Sequence, residues 1–286
     1  MGRLIHPSMV NPHAMPFKLN FSPAKDFRLP GHAVIHVTGP DSQSFLQAQC
    51  MNDVNALETG QWQYNGWLSP QGRVLALFYL IKIETAHFLL VLPALDPQKL
   101  IDGLKRYVFR SKVTFAIESS GHLLASFGAA PQPDGPCLQI GHGEGSRQLR
   151  LGSHSGNLDE DAAQRWHEID MAIGWVWIDQ AVQDLWTPHM LGLQQLKAFS
   201  VSKGCYPGQE IVARTHFLGK SKRGLFGIHG AGLQAGALLS LDGREIGRIA
   251  DHSGDGTLAV AVLPADIALG TVLDGGSVIG AAVTGA

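Results

Sequence analysis

Apolar and polar positions alternate early in the chain. Ala33-Val34-Ile35-His36-Val37 reads as a strand that ends at the turn Thr38-Gly39-Pro40. Residues 41–54 switch to helical spacing, with Phe45, Leu46, Gln49 and Cys50 on one face, so Cys50 is expected to point into the core. Three strand-like runs follow at 61–68, 74–83 and 87–92, the first two separated by the turn Ser69-Pro70-Gln71-Gly72. A helix is predicted from about Pro97 to Tyr107, and another strand over 112–118. Residues 129–157, rich in Gly, Pro, Ser and His, read as a loose connection with Cys137 in a polar loop. A second apolar region has Trp166 to Asp170 and Trp175 to Asp179 on either side of Gly174. From Arg223 onward, 14 of the 34 glycines fall within 64 residues, between short apolar runs such as Leu258-Ala259-Val260-Ala261-Val262. That rhythm predicts a separate small β-barrel or sandwich. No repeat of solenoid period is evident.

Composition narrows the class. A chain of 286 residues, 45% of them hydrophobic, can bury a sizeable core and is expected to hold two or three units. The net charge of −2 and a pI near 6.7 supply no overall field toward nucleic acid or anionic membranes. Three cysteines, Cys50, Cys137 and Cys205, form no paired framework and favour a reducing compartment. Residues 1–15 lack an apolar core of signal-peptide length, and the longest apolar stretches, 74–83 and 88–95, are interrupted by Lys82 and Pro93. A cytoplasmic protein is expected.

The chemistry concentrates in Lys203-Gly204-Cys205-Tyr206-Pro207-Gly208-Gln209-Glu210. A cysteine stands between two glycines, beside a lysine, just ahead of what reads as a helix start. Pro207 suits the first helical position, where its missing N–H has no partner to lose, and Glu210 lies near the positive helix end. An ammonium group and a helix N-terminus both favour the reactive thiolate. The plainer alternative is a glycine-flanked turn around an inert, buried cysteine.

Competing motifs fail. Leu218-Gly219-Lys220-Ser221 resembles the end of a phosphate-binding loop, but Arg214 stands where the leading glycine is required. Gly141-His142-Gly143-Glu144-Gly145 has the wrong spacing for a dinucleotide fingerprint. Ser200-Val201-Ser202-Lys203 lacks the partner motifs of a serine acyl-enzyme. The 13 histidines are scattered and there is no Cys-x-x-Cys, so no metal or cluster site is expected within the chain.

The segment from Lys203 to Arg214 resembles the signature of the YgfZ family of folate-binding proteins. These are relatives of the glycine-cleavage T-protein that support iron–sulfur enzymes and tRNA modification. Agreement in order and spacing extends to Val37-Thr38-Gly39-Pro40-Asp41 with Phe45-Leu46-Gln47 and Asn52-Asp53-Val54. It extends further to Tyr107-Val108-Phe109-Arg110-Ser111-Lys112-Val113 and to Thr187-Pro188-His189-Met190-Leu191. The resemblance implies an α+β, T-protein-like three-part cloverleaf. Its folate-binding region would span 17–222, as two interleaved subdomains with the second at about 116–165, and a C-terminal small β-barrel would span 223–286.

Residue by residue, the resemblance makes Cys205 the nucleophilic or redox centre and Lys203 the group that tunes it. Tyr206, Gln209, Glu210 and Arg214 match its flanks and are expected at the folate site. Trp166, eight residues before Gly174, matches an aromatic associated with folate; packing into the core is its alternative reading. The chain departs from the family at three places. His32 replaces a second tryptophan, and Ala172 replaces a glutamate able to accept pteridine N–H bonds. Arg73-Val74-Leu75-Ala76-Leu77-Phe78 lacks the aspartate of aminomethyltransferases. T-protein activity is therefore not expected.

The resemblance thus implies a tetrahydrofolate-binding accessory protein for assembly or repair of iron–sulfur enzymes, tRNA-modifying enzymes among them, with folate and those enzymes as partners and no membrane. An alternative is a folate-dependent one-carbon transferase with an unknown acceptor. A tRNA-binding module ranks last, for want of a basic patch, and no direct nucleic-acid binding is expected.

Overall fold

The computed structural model describes residues 26–128, 137–140, 146–152 and 156–283. After a short strand β1 (Phe27–Arg28), the runs read as strands become β2 (His32–Thr38), β3 (Trp62–Leu68), β4 (Val74–Glu84) and β5 (His87–Pro93). With β6 (Thr114–Ile117) they form an antiparallel sheet of order β3-β4-β5-β2-β6. Its inner strands are apolar on both faces because both faces are covered. Ala76, Phe78 and Leu80 of β4 enter one core with Phe88, Leu90 and Leu92 of β5. The alternate residues Leu77, Tyr79 and Ile81, with Leu89 and Val91, enter another.

Helices α1 (Ser42–Gln49) and α2 (Pro97–Lys105) close the first of these cores through Phe45, Leu46, Leu100, Ile101 and Leu104. Helix α2 starts where Asp96 accepts the Gln98 N–H and Pro97 takes the first position. Helix α1 is shorter than the expected 41–54. Cys50 is already extended, and the side chains of Asp53 and Gln47 capture the amides of Asn55 and Val54 that a longer helix would use. Cys50 is nevertheless fully buried.

Two strands lie inside the stretch read as a loose connection, β8 (Cys137–Ile140) and β9 (Arg147–Gly152). Cys137 therefore sits on a strand rather than in a polar loop, because Leu138 and Ile140 alternate inward and pair along β9. With β7 (His122–Phe127) and β10 (Asn157–Leu158) they build a second sheet of order β10-β1-β7-β9-β8. The motif at 141–145 lies outside the described residues.

Helix α3 (Glu160–Ile173) begins at Asp159, whose carboxylate accepts the Ala162 N–H, and ends at Gly174 with φ 84°. That left-handed residue lets the Trp175 N–H return to the Asp170 carbonyl. Helix α4 (Gln209–Leu218) precedes the third sheet, which comprises β11 (Arg223–His229), β12 (Leu238–Leu241), β13 (Arg244–His252), β14 (Leu258–Pro264) and β15 (Val278–Ala282). This sheet is antiparallel, in the order β12-β13-β14-β11-β15. One face packs on itself through Phe226, Ile228, Ile249 and Leu263. The other sends Leu225, Ala250, Val260 and Val262 into the central core shared with the first two sheets and α3. No described helix is long and apolar enough to cross a membrane.

Candidate functional site

The cysteine motif is stitched to the far end of α1. Lys203 is buried, and its Nζ donates to the carbonyls of Gln47, Cys50 and Asn52 at 2.5, 2.6 and 3.0 Å. An ammonium group has three donors, and all three are used. Two of the acceptors are carbonyls at the C-terminus of α1, where a cation is favoured. Burial lowers the Lys203 pKa from its usual value, against the opposing pull of Cys50 and Asp53. Lys203 therefore acts as a cap on α1 and a pin for the motif, whereas the sequence pointed its charge at Cys205. Tyr206 is buried beneath it, 5.0 Å from Nζ to the ring centroid, and donates its hydroxyl to the Ser200 carbonyl at 3.0 Å. Gln209 Nε2 donates to the Lys203 carbonyl at 2.9 Å.

The helix start is also displaced. Gly208, not Pro207, precedes the first turn of α4, so Cys205 lies four residues ahead of Gln209. Gly208 has φ 78°, and a Cβ there would sit 2.5 Å from Gly72 Cα and 2.7 Å from the Ser69 carbonyl. Contact with the 69–72 turn fixes this geometry. It forces a left-handed residue at the place where the sequence pattern suggested that Pro207 begins the helix.

Cys205 is exposed. With Gly204 it borders a cleft of about 400 Å³ whose other wall is Pro40, Gln43, Ser44, Gln47 and Asn55. That wall also includes Ala48 and carries no charge, and the Gln43 amide donates to the Asn55 side-chain oxygen along it. Cys50, by contrast, is sealed, and burial pushes its pKa up to about 12. Glu210 and Arg214 are exposed on α4. The arrangement presents one accessible thiol on a rigid backbone beside amide and hydroxyl groups.

Trp166 is not part of that cleft. Its ring is wholly buried on α3, with the Arg147 guanidinium 4.5 Å above it and Phe27 and Phe127 around its edges. A ligand could stack on this ring only if Arg147 moved. Arg147 is itself buried and paired with Asp170 at 2.5 Å. Asp170 also accepts from Trp177 Nε1 at 3.0 Å and lies 3.4 Å from the Tyr79 hydroxyl. The Trp177 ring is stacked by His167 at 3.7 Å and met edge-on by His32 at 4.7 Å. The sequence reading singled out neither Arg147, Asp170 nor His167. Asp170 falls at i+4 from Trp166, which puts both on the inner side of α3, and that spacing was the available signal.

His32 and Ala172, the two departures, differ in setting. Ala172 is exposed on α3. His32 Nε2 is sealed from solvent without a partner, and burial pushes the ring's pKa down to about 3. Among the described residues no cluster of three or more His, Cys, Asp or Glu could hold a metal ion.

The fold is of the T-protein type. Residues 31–126 match the family model described as the GCVT N-terminal domain. The structure is similar to the glycine cleavage system aminomethyltransferase T from Bartonella henselae, with a TM-score of 0.68 over 90% of this chain and 84% of that one. Identity there is 19%, which speaks to fold alone.

The chain belongs to the YgfZ family. It is 30% identical over 230 residues to the tRNA-modifying protein YgfZ of Serratia proteamaculans, covering 69% of this chain and 68% of the relative. It is 29% identical over 284 residues to that of Yersinia enterocolitica, covering 84% of each. With the protein of the same name from Edwardsiella ictaluri it shares 27% identity over 247 residues, 76% of this chain and 74% of the relative.

Proposed function

We propose that this protein is a tetrahydrofolate-binding accessory factor for assembly or repair of iron–sulfur enzymes, tRNA-modifying enzymes among them, acting through Cys205. The carrying observation is the exposed Cys205 thiol at the edge of an uncharged cleft, on a motif that Lys203, Tyr206 and Gln209 hold in place. A structural cysteine would be buried, as Cys50 is. The relatives' name, tRNA-modifying protein, gives the reading its biological direction.

The residues fit a folate ring at one point. The sealed, unpartnered and neutral Nε2 of His32 offers a hydrogen bond that no protein group takes up. Tetrahydrofolate would supply a carrier for one-carbon units. His32 would contact its ring, Trp166 would act through Arg147, and the exposed Glu210 and Arg214 would be available to the polar tail. Residues 17–222 would form the folate-binding part of a cloverleaf, with 223–286 as its β-barrel.

The transferase alternative asks for a free carboxylate beside β4. That strand carries none before Glu84, and Asp170, which abuts Tyr79, is neutralised by Arg147.

The test is a Cys205→Ser variant in a strain lacking its own copy of the gene. Rescue of an iron–sulfur tRNA-modifying enzyme should be lost, while tetrahydrofolate still binds in fluorescence titration. Full rescue by Cys205→Ser would reduce the motif to a structural turn, and absence of any folate titration in the parent protein would remove the cofactor.

A further inference from the structure

The last residue of α2 and the loop from there to β6 present five exposed side chains in eight residues: Lys105, Arg106, Phe109, Arg110 and Lys112. Phe109 is 87% exposed, the most open of the large apolar residues described. Its φ is +42°, in the left-handed region that bulky residues rarely enter. Backbone strain therefore holds an aromatic ring where it buries nothing, the kind of outlier that points to a ligand rather than to packing.

The loop is well formed. The Tyr107, Val108 and Ser111 amides donate to the carbonyls of Leu104, Lys105 and Val108. None of the four cationic side chains makes an ion pair among the described residues. No carboxylate occurs between Asp102 and Glu118. The expectation that the chain has no basic patch, drawn from overall charge, is corrected here: the cluster is local and acids elsewhere mask it.

The loop also adjoins the Cys205 cleft. The Lys112 N–H donates to Asp41 Oδ2 at 2.7 Å, and a Cβ on Gly39 would lie 2.1 Å from the Lys112 carbonyl. The turn through Gly39, Pro40 and Asp41 thus touches the loop on one side, and on the other Pro40 lines the cleft. Asp41 is the one carboxylate at this junction with a hydrogen bond to the loop, and the Lys112 amide occupies it.

We propose that the Phe109 loop docks single-stranded RNA. One base stacks on the Phe109 ring, phosphates lie against Lys105, Arg106, Arg110 and Lys112, and the strand runs toward the cleft at Cys205. A bare aromatic ring among unpaired cations is the combination that binds unpaired bases irrespective of sequence. The adjoining Gln43, Ser44 and Asn55 offer amide and hydroxyl groups suited to base edges. An acidic protein segment would answer the cations but not the ring. The inference stands independently of folate binding and of chemistry at Cys205.

The test is fluorescence anisotropy with a fluorescein-labelled 17-nucleotide RNA hairpin carrying a seven-nucleotide loop, across a salt series. Four phosphate contacts to single-stranded RNA give a slope of log K against log salt of about −3. Arg110→Ala should make the slope shallower by about 0.7. Phe109→Ala should weaken binding roughly tenfold, as loss of one base stack does. Leu269→Ala, at an exposed apolar position elsewhere, should change nothing. Circular dichroism would establish that each variant is folded. Three outcomes overturn the proposal: no RNA binding by the parent protein, binding indifferent to Phe109 and Arg110 but lost in a Lys220→Glu, Lys222→Glu variant, or binding of a poly-glutamate peptide in place of RNA.

Discussion

Lys203 shows how far one side chain can differ from its local reading. Next to Cys205 in sequence, it suggested an electrostatic partner for the thiol. In the fold its ammonium satisfies carbonyls 151, 153 and 156 residues away, two of them at the C-terminus of α1. Backbone acceptors leave no mark on the pattern of side chains, so this partnership was not legible in the sequence. The burial of Cys50 was legible from its spacing to Phe45 and Leu46, although α1 stops one residue short of it. Replacing Lys203 by Met keeps the length of the side chain and removes all three donors. Leaving buried carbonyls unsatisfied costs about 1–3 kcal/mol, so Lys203→Met should lower the free energy of urea unfolding by that order. A variant as stable as the parent would mean that water replaces the ammonium and that the cap is dispensable.

At the scale of elements, the contact between the 69–72 turn and the start of α4 sets the orientation of the motif. Gly72 and Gly208 both have positive φ, and each lies where a Cβ on the other chain segment would collide. Gly208→Ala should therefore cost at least about 1–2 kcal/mol from the left-handed backbone alone, with the steric clash in addition. Gly204, two residues before Tyr206, has open space around the Cβ position and no positive φ. Gly204→Ala should fall within about 0.5 kcal/mol of the parent. Thermal unfolding of the two variants side by side checks the contrast, and equal losses would refute the contact as its cause. The 69–72 turn was legible from its own residues; its partner was not, because packing between distant turns has no period. The same distinction separates β2 to β5, whose alternation is long, from β8. The four residues of β8 alternate correctly, but they stand among glycines, prolines and serines that read as loop.

At the scale of the whole molecule, α3 is tied to the C-terminal sheet by His167 and Asp251, whose Nε2 and carboxylate are 2.9 Å apart. Asp251 also accepts the Trp177 N–H at 2.7 Å, so one carboxylate joins β13, α3 and the segment after it. Burial disfavours a charged His167. The hydrogen bond and charge of Asp251, with Asp170 and Glu168 behind it, outweigh that penalty and raise the pKa above its ordinary value. The unfolded chain has the usual histidine value of about 6.5. A group bound more tightly to its proton in the folded state stabilises that state fully below the unfolded pKa, and the contribution is lost as pH rises through the higher folded value. The thermal midpoint should thus fall as the pH is raised from about 6 to 9, beyond whatever slope the remaining groups impose. His167→Gln retains a donor without a titrating proton, so subtracting its profile from that of the parent isolates the histidine. The difference should be largest at the acidic end of the window and shrink toward the alkaline end. A difference that is flat across the window, or one that grows with pH, would show that His167 is neutral in the folded protein and that the tie to the C-terminal sheet is an uncharged hydrogen bond.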